Sequence, residues 1–596
     1  MTERRLVADA LVARLHEWGI ERIFGYSGDG IDPILGALRR AGKPELVTAR
    51  HEESAAFMAT AHAKWTGGTG CCIATHGPGA IHLLNGLYDA KLDKRPVVAI
   101  VAQQHRSALG SGYQQEIDAN SLFKDVCSAF LQTVTVPEDL HLVVDRAVRA
   151  AQTTRSPTAI IVPHDVQQLE MPDELPQQHG VVVTSTGWRP GRLQPDDDAV
   201  AAAATLLDEA ERPAILVGQG AAGARDEVRA LAERLGAGVA KALLGKAVLS
   251  DDLPYVTGAV GHLGTTASEW MMQHCDALLM VGTNEPYTEF LPPPGQARAV
   301  QIDVDGRWLG SRYPTEVNLH GDAAASLSAL LDRLGRGPRD AWRADVERAV
   351  ADWWRIAERR ARRPAEPLNP QLLFHELSSR LPDDALLAVD VGSVTYWYAR
   401  HIRQRGTITG HLSSTLASMG SALPYAVAAK LAFGDRLVVA LAGDGAMQMN
   451  GINELLTVSR MWREWADPRL PVLVLDNGDL NEVTWEQREM EGDPKFAASQ
   501  SLPSLPYADY ARLLGLDGVR LDDPGRVGEA WDAALAADRP FLIHAVVDPA
   551  VPLLPPRLEP ALRDRLLDGL AQEEGDLPAR GRRLVLAELA DQEPPG

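Results

Sequence analysis

The chain has 596 residues, of which 45% are hydrophobic and 23% charged, and this composition is that of a folded globular protein with about three to four domains. The net charge of −21, from 59 basic and 80 acidic residues, argues against general nucleic-acid binding. No apolar run approaches the length of a membrane span, so we do not expect membrane insertion. The four cysteines lack metal-ligand spacing and the N-terminus lacks a signal-peptide core, which together predict a cytoplasmic location.

The first part of the chain, residues 1–170, alternates apolar strands with helical patterns and opens on an amphipathic helix at Leu6–Gly19. The predicted strands are Ile23–Tyr26, Cys71–Thr75, Val97–Val101 and Ala159–Val162. This alternation predicts a doubly wound parallel sheet. A linker rich in Pro, Gln, Gly and Asp is expected at 167–195.

Two further α/β segments follow, at residues 190–340 and 365–550, and a tail occupies 551–596. Their predicted strands are Ala214–Val217, Ala277–Val281, Val300–Val304, Leu386–Val389, Leu437–Ala442, Val472–Leu475 and Phe541–Val546. The predicted fold class is therefore α/β, with three successive doubly wound parallel-sheet domains. We expect the last residues of the tail to be mobile.

Polar residues end two strands of the third segment. One strand stops at Gly443-Asp444-Gly445, and the next stops at Asp476-Asn477. Because ligands sit beyond the carboxyl ends of such strands, Asp444 and Asn477 are predicted to lie side by side and to suit Mg²⁺ carrying a phosphate. Gly445 would let the backbone approach a diphosphate. A tight turn without a ligand is the alternative explanation of this glycine-rich tripeptide.

A carboxylate in the first segment also needs an explanation. A helix starts at Arg50-His51-Glu52-Glu53, and acidic residues in a first turn commonly serve only to offset the helix dipole. This helix is followed, however, by a strand and then by the glycine-rich turn His76-Gly77-Pro78-Gly79, where a bulky group could approach the backbone. These residues alone leave both roles open for Glu52.

Four motifs occur in one order along the chain: HEESAAFMATAHAKWTGG, THGPGAIHLLNGLYDA, GSGYQQE, and GDGAMQMN with a later DN. Together they resemble the thiamine diphosphate enzymes of the pyruvate oxidase and acetolactate synthase family, with a likeness that extends to about Pro556. The resemblance is greatest to bacterial, quinone-reducing pyruvate oxidase. It implies thiamine diphosphate and Mg²⁺ as cofactors and a 2-oxo acid, with pyruvate first, as substrate.

The resemblance also implies roles for individual residues. Glu52 matches the family's activating glutamate, whose carboxyl binds a pyrimidine nitrogen of the cofactor and promotes its imino form. Asp444 and Asn477 match the side-chain Mg²⁺ ligands, and the carbonyl of Asp479 would be the third protein ligand. Gln115 and Met419 are the further catalytic candidates, although plain core packing is the usual role of a methionine. The other expected cofactor contacts are Ala417, Ser418, Gly445 and Ala446.

The resemblance leaves open what happens to the enamine formed when CO₂ leaves. Our first expectation is oxidation, as in pyruvate oxidase; the alternatives are carboligation of the acetolactate synthase type and simple decarboxylation. Oxidase-like members hold FAD in the middle segment, whereas decarboxylases of the group keep that domain without flavin. The stretches that resemble flavin contacts supply Gly261, Thr283, Asn284 and Asp303 as candidate FAD-binding residues.

The chain departs from the family pattern at several positions. Gln114 stands where family members place an aromatic residue before the glutamine of GYxQE, and Asp476 replaces the usual first asparagine of the second motif. Trp485 and Arg488 either meet a substrate carboxylate or anchor a lid, and we favour the lid.

Family layouts place the glutamate segment of one subunit against the diphosphate segment of another. They therefore imply a homodimer or homotetramer whose active sites lie between subunits. The basic residues of the tail are mixed with acidic ones, so a membrane-surface role is unsupported.

Overall fold

The structure is a computed structural model of the chain, and it describes residues 5–172 and 183–592. Within these residues the chain forms three six-stranded sheets in succession. The strand orders are β2-β1-β3-β4-β6-β5, β12-β11-β10-β7-β8-β9 and β14-β13-β15-β16-β18-β17, for the strands whose bounds are given below. All pairings within the sheets are parallel, so the predicted fold class is confirmed.

The N-terminal domain contains the first sheet. Its strands are β1 (Arg22–Gly25), β2 (Glu45–Thr48), β3 (Gly70–Ala74), β4 (Val97–Gln103), β5 (Leu131–Thr133) and β6 (Pro157–Pro163). Its helices are α1 (Val7–Glu17), α2 (Asp32–Ala41), α3 (Glu52–Thr66), α4 (Pro78–His82), α5 (Leu84–Leu92), α6 (Ala119–Phe123), α7 (Leu140–Thr154) and α8 (His164–Gln167). Strands β4 and β6 are buried at every residue, as expected where helices cover both faces of a parallel sheet.

The central domain contains the second sheet. Its strands are β7 (Pro213–Val217), β8 (Gly238–Lys241), β9 (Val256–Ala259), β10 (Ala277–Val281), β11 (Arg298–Asp303) and β12 (Val317–His320). Its helices are α9 (Asp197–Glu209), α10 (Arg225–Leu235), α11 (Thr266–His274), α12 (Ala323–Leu331) and α13 (Asp340–Ala361).

The C-terminal domain contains the third sheet. Its strands are β13 (Leu386–Val389), β14 (Thr409–His411), β15 (Val438–Gly443), β16 (Pro471–Asp476), β17 (Asp517–Leu521) and β18 (Phe541–Val546). Its first helices are α14 (Pro370–Arg380), α15 (Ser393–His401), α16 (Ala422–Ala432), α17 (Asp444–Met449) and α18 (Glu454–Met461). The remaining helices are α19 (Asn481–Glu486), α20 (Ala497–Gln500), α21 (Tyr507–Leu513), α22 (Val527–Ala536), α23 (Pro560–Ala571) and α24 (Asp576–Ala590).

One element lies beyond the boundary predicted for its domain. The predicted central domain ends at residue 340, where α13 begins, and α13 adds Trp342, Val346 and Trp353 to the core of the second sheet. In the predicted tail, Leu566 of α23 and Val585 of α24 are buried in the third domain. Part of the predicted 167–195 linker and residues 593–596 lie outside the described residues.

The N-terminal and C-terminal domains share one hydrophobic core on one face. Helix α3 packs against α16, with the rings of Phe57 and Tyr425 edge to face at 6.4 Å between centroids. Both side chains are fully buried, and each burial of this kind contributes about 1.5–3 kcal/mol. This packing fixes the start of α3, and therefore Glu52, relative to the third sheet.

Across residues 5–172 and 183–592, the structure contains no helix that combines the length and the hydrophobicity required to span a membrane.

Candidate active site

The strand ends predicted to carry a metal meet in the structure. Strands β15 and β16 pair with Gly443 opposite Leu475, so the residues that follow them are neighbours. The Asp444 carboxylate accepts hydrogen bonds from three backbone N–H groups, those of Gly445 at 2.8 Å, Asn477 at 3.1 Å and Gly478 at 2.8 Å. The Asp444 side chain is therefore fixed against the turn that contains Asn477, and the two residues lie side by side as the sequence predicts.

Two acidic residues, Asp444 and Asp476, lie at the ends of these strands, and their negative charge favours a bound cation. Burial, together with the charge of Asp476, raises the pKa of Asp444 to about 7. Burial acts on Asp476 in the same direction, but hydrogen bonds with His544 at 2.7 Å and Ser504 at 2.6 Å leave its pKa below the ordinary value. The Asp444 carboxylate and the Asn477 amide oxygen at one sheet edge are hard oxygen donors of the kind that suits Mg²⁺.

The side chain of Asp479 is already engaged. Its carboxylate accepts from Thr484 at 2.9 Å and Asn481 at 3.3 Å, and it pairs with the Lys495 ammonium at 3.0 Å. Its backbone N–H donates to the Asn477 amide oxygen at 3.0 Å. The Asp479 carboxylate is thus occupied by partners of its own, and the ligand role of the Asp479 carbonyl stays a prediction.

The segment Ala417–Gly420 runs beside these strand ends. Ala417 has a φ of +56°, an uncommon backbone conformation for a residue other than glycine, and Gly420 has a φ of +89°. Met419 lies close to Gly445, since a Cβ built on Gly445 would be 4.0 Å from the Met419 sulfur. The structure therefore brings together the predicted cofactor contacts Ala417, Ser418, Met419 and Gly445, with Ala446 next in the chain.

Asp390 fixes the backbone at the end of the segment Ala417–Gly420, and the sequence analysis did not identify it. It follows β13 directly, and its carboxylate accepts from the N–H groups of Gly420 at 2.8 Å and Ala422 at 3.0 Å. Burial raises its pKa to about 6. Its position after an apolar strand, like that of Asp444, is the signal that could have identified it.

Glu52 is the first residue of α3, and it is buried. Its carboxyl lies 3.0 Å from Nδ1 of His82, and a Cβ built on Gly79 would be 3.2 Å from its Oε1. His51 caps the helix by accepting the N–H of Glu53 at 3.1 Å. The glycine turn thus lies directly against the Glu52 carboxyl, which supports a site role beyond the helix dipole.

Gln115 lies on the other side of the same turn. It has a φ of +63°, and a Cβ built on Gly77 would be 2.7 Å from the Gln115 Cβ. The neighbouring carbonyl of Gln114 accepts a hydrogen bond from Gln104 at 2.7 Å. Glu52 and Gln115 therefore both lie against the glycine-rich turn at residues 76–79.

The two halves of the predicted site touch within one chain through Asn85. Its amide donates to Glu53 at 2.6 Å and to the hydroxyl of Ser418 at 2.8 Å. The N–H of Arg50 donates to the Glu454 carboxylate at 2.8 Å. Among the described residues, however, no hydrogen bond or ion pair joins Glu52 to Asp444 or Asn477 in the single chain.

A buried ionic cluster supports the same domain junction. The Lys64 ammonium contacts Asp89 at 3.0 Å, Asp93 at 2.7 Å and the Tyr425 hydroxyl at 2.6 Å. Asp93 also accepts the N–H groups of Ser414 and Thr415, at 3.1 and 2.9 Å. The N-terminal domain thereby fixes the chain just before Ala417.

The four candidate flavin residues lie at the carboxyl edge of the second sheet. Thr283 is buried after β10, Asn284 accepts from Ser311 at 3.2 Å, and Asp303 accepts the N–H of Asp305 at 2.9 Å. Gly261, with a φ of +88°, follows β9. The loop after β10 crosses the sheet edge and reaches Gly261, since a Cβ built on Gly261 would lie 3.2 Å from the Tyr287 side chain.

Acidic side chains that the sequence reasoning did not single out line the junction between this loop and α19. Burial raises the pKa values of Glu285 and Glu482 to about 7. Burial also raises the pKa of Tyr287, and the charges of Glu285, Glu482 and Glu486 raise it further. The loop after β10 of the central domain and α19 of the third domain are therefore close enough for their charges to affect one another.

The predicted lid residues are anchored rather than free. The Arg488 guanidinium forms a bidentate ion pair with Glu573, at 2.7 and 2.9 Å, and is almost fully buried. The Trp485 indole donates to the carbonyl of Pro549 at 3.3 Å. Because the Arg488 side chain is paired with Glu573 of the C-terminal tail, an anchoring role is favoured over contact with a substrate carboxylate.

Comparison with known proteins agrees with this geometry. Three family models match the chain in order: the N-terminal TPP binding domain of thiamine pyrophosphate enzymes at residues 5–122, their central domain at 200–330, and their C-terminal TPP binding domain at 390–545. The chain belongs to the family of thiamine pyrophosphate-dependent enzymes.

Relatives in this family carry different names. YdaP of Bacillus subtilis, whose name describes a thiamine pyrophosphate-containing protein, is 32% identical over 92% of this chain and 93% of its own length. The acetolactate synthase large subunit of Parasynechococcus marenigrum is 32% identical over 92% of this chain and 89% of its own. Pyruvate oxidase of Lactiplantibacillus plantarum is 27% identical over 98% and 94%. The expected preference for the oxidase type is therefore not confirmed, because synthases match comparably.

Proposed function

We propose that this chain is a thiamine diphosphate- and Mg²⁺-dependent enzyme that releases CO₂ from a 2-oxo acid, with pyruvate as the substrate, and oxidises the two-carbon fragment that remains. The observation that carries the proposal is the meeting of Asp444 and Asn477 at neighbouring strand ends, beside Met419. When bound, thiamine diphosphate supplies a ring that accepts the electrons released with CO₂.

The C-terminal domain would hold the cofactor. Asp444, Asn477 and the carbonyl of Asp479 would bind Mg²⁺, and the ion would carry the diphosphate. Gly445 and Ala446 would offer backbone N–H groups to the diphosphate. Ala417, Ser418 and Met419 would support the cofactor ring system, with their backbone held by Asp390.

The N-terminal domain would handle the proton. The Glu52 carboxyl would exchange a proton with a ring nitrogen of the cofactor, and the His82 ring, at 3.0 Å, would keep that carboxyl in place. Gln115, on the far side of the turn at Gly77, would orient the substrate. The low exposure of Glu52 would exclude water from the exchange.

The direct test replaces this carboxyl. Glu52→Gln should lower thiamine-dependent CO₂ release by about 100-fold or more, while bound thiamine diphosphate, counted by release and thiochrome fluorescence, stays near wild type. Glu45→Gln, at the surface pair with Arg22, is the matched control. Undiminished CO₂ release by the Glu52 variant would remove the assignment.

Carboligation of the acetolactate synthase type is the second candidate, and the 32% identity to a synthase supports it. Simple decarboxylation is the third. Product analysis separates them: with pyruvate, oxidation gives acetate and a reduced acceptor dye, carboligation gives acetolactate without oxygen or dye, and decarboxylation gives acetaldehyde.

FAD in the central domain is part of the oxidase proposal. Gly261, Thr283, Asn284 and Asp303 share one sheet edge, and the left-handed backbone at Gly261 fits the close approach of a dinucleotide. The buried Glu285, whose single hydrogen bond among the described residues is a 3.4 Å contact with the Tyr287 N–H, adds a polar group without a close partner. The absorption spectrum of the purified protein tests this, and a spectrum without flavin bands would contradict it.

We further propose a homodimer or homotetramer with active sites between subunits, located in the cytoplasm. Apolar side chains next to both halves of the site support a second copy, because Ile81 and Met449 are 45% and 60% exposed. Light scattering on the eluting protein measures the assembly, and an active monomer would contradict it.

A further inference from the structure

The loop that carries Gln115 leaves the carboxyl end of β4 and returns to the N-terminal domain at α6. Between residues 105 and 115 this loop is exposed, apart from the half-buried Ala108. Gly110 and Gly112 have positive φ values of +84° and +71°, and a Cβ built on either glycine would have open space around it. Packing therefore contributes little to the shape of the loop, which depends on hydrogen bonds instead.

The Glu116 carboxylate gathers three backbone donors of this loop. Its Oε1 accepts the N–H of Gly110 at 2.5 Å, and its Oε2 accepts the N–H groups of Gly112 at 2.9 Å and Tyr113 at 3.1 Å. The backbone N–H of Glu116 donates to the carbonyl of Tyr113 at 2.9 Å. The tip of the loop is therefore folded around one side chain, which belongs to the residue directly after Gln115.

The three donors also set the charge of Glu116. Their hydrogen bonds, with that of Gly110 contributing most, hold the pKa of this carboxyl below its ordinary value. The group is therefore a carboxylate at neutral pH, with two oxygens that accept and no proton of its own. A glutamine at this position would keep one accepting oxygen and replace the other with an NH₂ group, which cannot accept from a backbone N–H.

Gln115 has a backbone conformation that needs such support. Its φ of +63° is uncommon for a residue with a side chain, and such conformations persist only where the surrounding structure enforces them. The peptide units on both sides of Gln115 are held, because the carbonyl of Gln114 accepts from Gln104 at 2.7 Å and the N–H of Glu116 donates to Tyr113. Loss of the Glu116 contacts would therefore release Gln115 towards ordinary backbone conformations.

We propose that Glu116 is a positioning residue that holds Gln115 in the conformation required to orient the substrate. This inference rests on the proposed function, in which Gln115 orients the 2-oxo acid. Among the described residues, the hydrogen bonds of the Glu116 carboxylate are all with N–H groups of the loop. Glu116 would act by keeping the loop in its binding-competent form before the substrate arrives, so that substrate binding does not have to order it.

The first test compares Glu116→Gln with wild type, in the full-length protein loaded with thiamine diphosphate and Mg²⁺. If the loop without its contacts is binding-competent about a tenth of the time, KM for pyruvate should rise about tenfold, while kcat and the amount of bound cofactor stay near wild type. Damage to the fold would instead lower kcat and leave KM unchanged. The matched control is Asp118→Asn, which alters an exposed carboxylate that caps α6 through the Ser121 N–H at 3.0 Å and should leave KM unchanged.

A double-mutant cycle tests whether Glu116 acts through Gln115. Gln115→Ala removes the orienting amide and should lower kcat/KM by about tenfold or more. In that background Glu116→Gln should change KM by less than about twofold, because the group that it positions is gone. A full tenfold effect of Glu116→Gln in the double variant would overturn the proposal, and so would an unchanged KM or a fall in kcat alone in the single variant.

Hydrogen exchange supplies a measurement that needs no turnover. Amides in peptides that cover residues 105–116 should exchange about tenfold faster in Glu116→Gln than in wild type or Asp118→Asn, since the N–H groups of Gly110, Gly112 and Tyr113 lose their acceptor. Unchanged exchange in this segment would overturn the proposal whether or not pyruvate is the substrate. Faster exchange without any thiamine-dependent CO₂ release by wild type would instead contradict the proposed function and support the contacts of Glu116.

Discussion

Asn85 and Ser418 connect the glutamate half of the candidate site to the cofactor half, since the Asn85 amide donates to the Ser418 hydroxyl at 2.8 Å. The same amide nitrogen donates to Glu53 at 2.6 Å. One side chain therefore links the start of α3 to the segment expected beneath the cofactor, within a single chain.

Removal of this link should weaken the site without unfolding the domain. Asn85→Ala leaves the acceptors Glu53 and Ser418 without their donor, and we expect thiamine diphosphate affinity to fall by about tenfold. Cofactor titration of the apoprotein, followed by activity, measures the effect. Asn120→Ala, whose 3.4 Å bond to Thr133 lies on the surface, is the control; identical affinities of the two variants would contradict the connecting role.

The proposed position of the site between subunits predicts complementation. Glu52→Gln and Asp444→Asn should each be inactive, but a mixture that exchanges subunits should regain roughly a quarter of wild-type activity. In a mixed dimer one site receives both substitutions, and the other receives the intact Glu52 and Asp444. The measurement is CO₂ release after dissociation and reassociation of the mixed variants. Reassociated mixtures that stay inactive would place the whole site within one chain.

Asp390 is expected to position the cofactor segment rather than to react. Asp390→Asn weakens the two N–H contacts at Gly420 and Ala422, so the apparent Kd for thiamine diphosphate should rise about tenfold while kcat at saturation changes little. Asp383→Asn, at the surface pair with Arg405, serves as the control. A large fall in kcat at saturating cofactor would instead assign Asp390 to the chemistry.

The Arg488–Glu573 pair should stabilise the helical segment that follows the candidate metal-binding turn. Glu573→Gln leaves a buried guanidinium without its counter-charge, and we expect a loss of about 3 kcal/mol in the free energy of unfolding. Urea denaturation measures it, and limited proteolysis should cut first between 487 and 495. Asp509→Asn, which breaks the exposed pair with Arg512, should cost less than about 1 kcal/mol.

His62 predicts an acid-sensitive stability. Burial lowers its pKa to about 4, and the charge of Arg22 contributes. Because the unfolded chain binds this proton near pH 6.5 and the folded protein does not, stability is lost as pH falls from about 6.5 towards 4. The loss at pH 5 is about 2 kcal/mol, which His62→Leu should remove.

Denaturation at pH 8 and pH 5 measures this dependence. The exposed His16→Leu is the control and should keep the wild-type difference between the two pH values. A His62→Leu variant that also kept the full difference would contradict the assignment.

The sequence predicted the central strands of each sheet better than the edges. Strands such as Val97–Gln103 and Pro471–Asp476 are continuous apolar runs because both faces are covered, and they were identified. The edge strands Glu45–Thr48 and Leu131–Thr133 were not, since their partial exposure interrupts the apolar pattern. The predicted central domain stops at residue 340, where α13 begins, because the many charged residues of this helix mask its buried face.

The candidate site was predictable where chemistry and local pattern coincide. Asp444 and Asn477 end apolar strands, so their meeting follows from the topology alone. Asp390 has the same position after Leu386–Val389 but lies outside any glycine-rich motif, and it was overlooked. The contacts of Asn85 with Ser418 and of Arg488 with Glu573 join residues 333 and 85 positions apart, and no local pattern encodes them.

The buried Lys64 cluster has a consequence for protein engineering. Lys64, Asp89 and Asp93 come from the N-terminal domain, whereas Tyr425 comes from the C-terminal domain, and all of them are buried. A chimera that takes its first domain from a relative with a different arrangement here would bury an unmatched charge at the graft boundary, at a cost of about 3–5 kcal/mol. Relatives used for recombination with this chain should therefore carry all four of these residues.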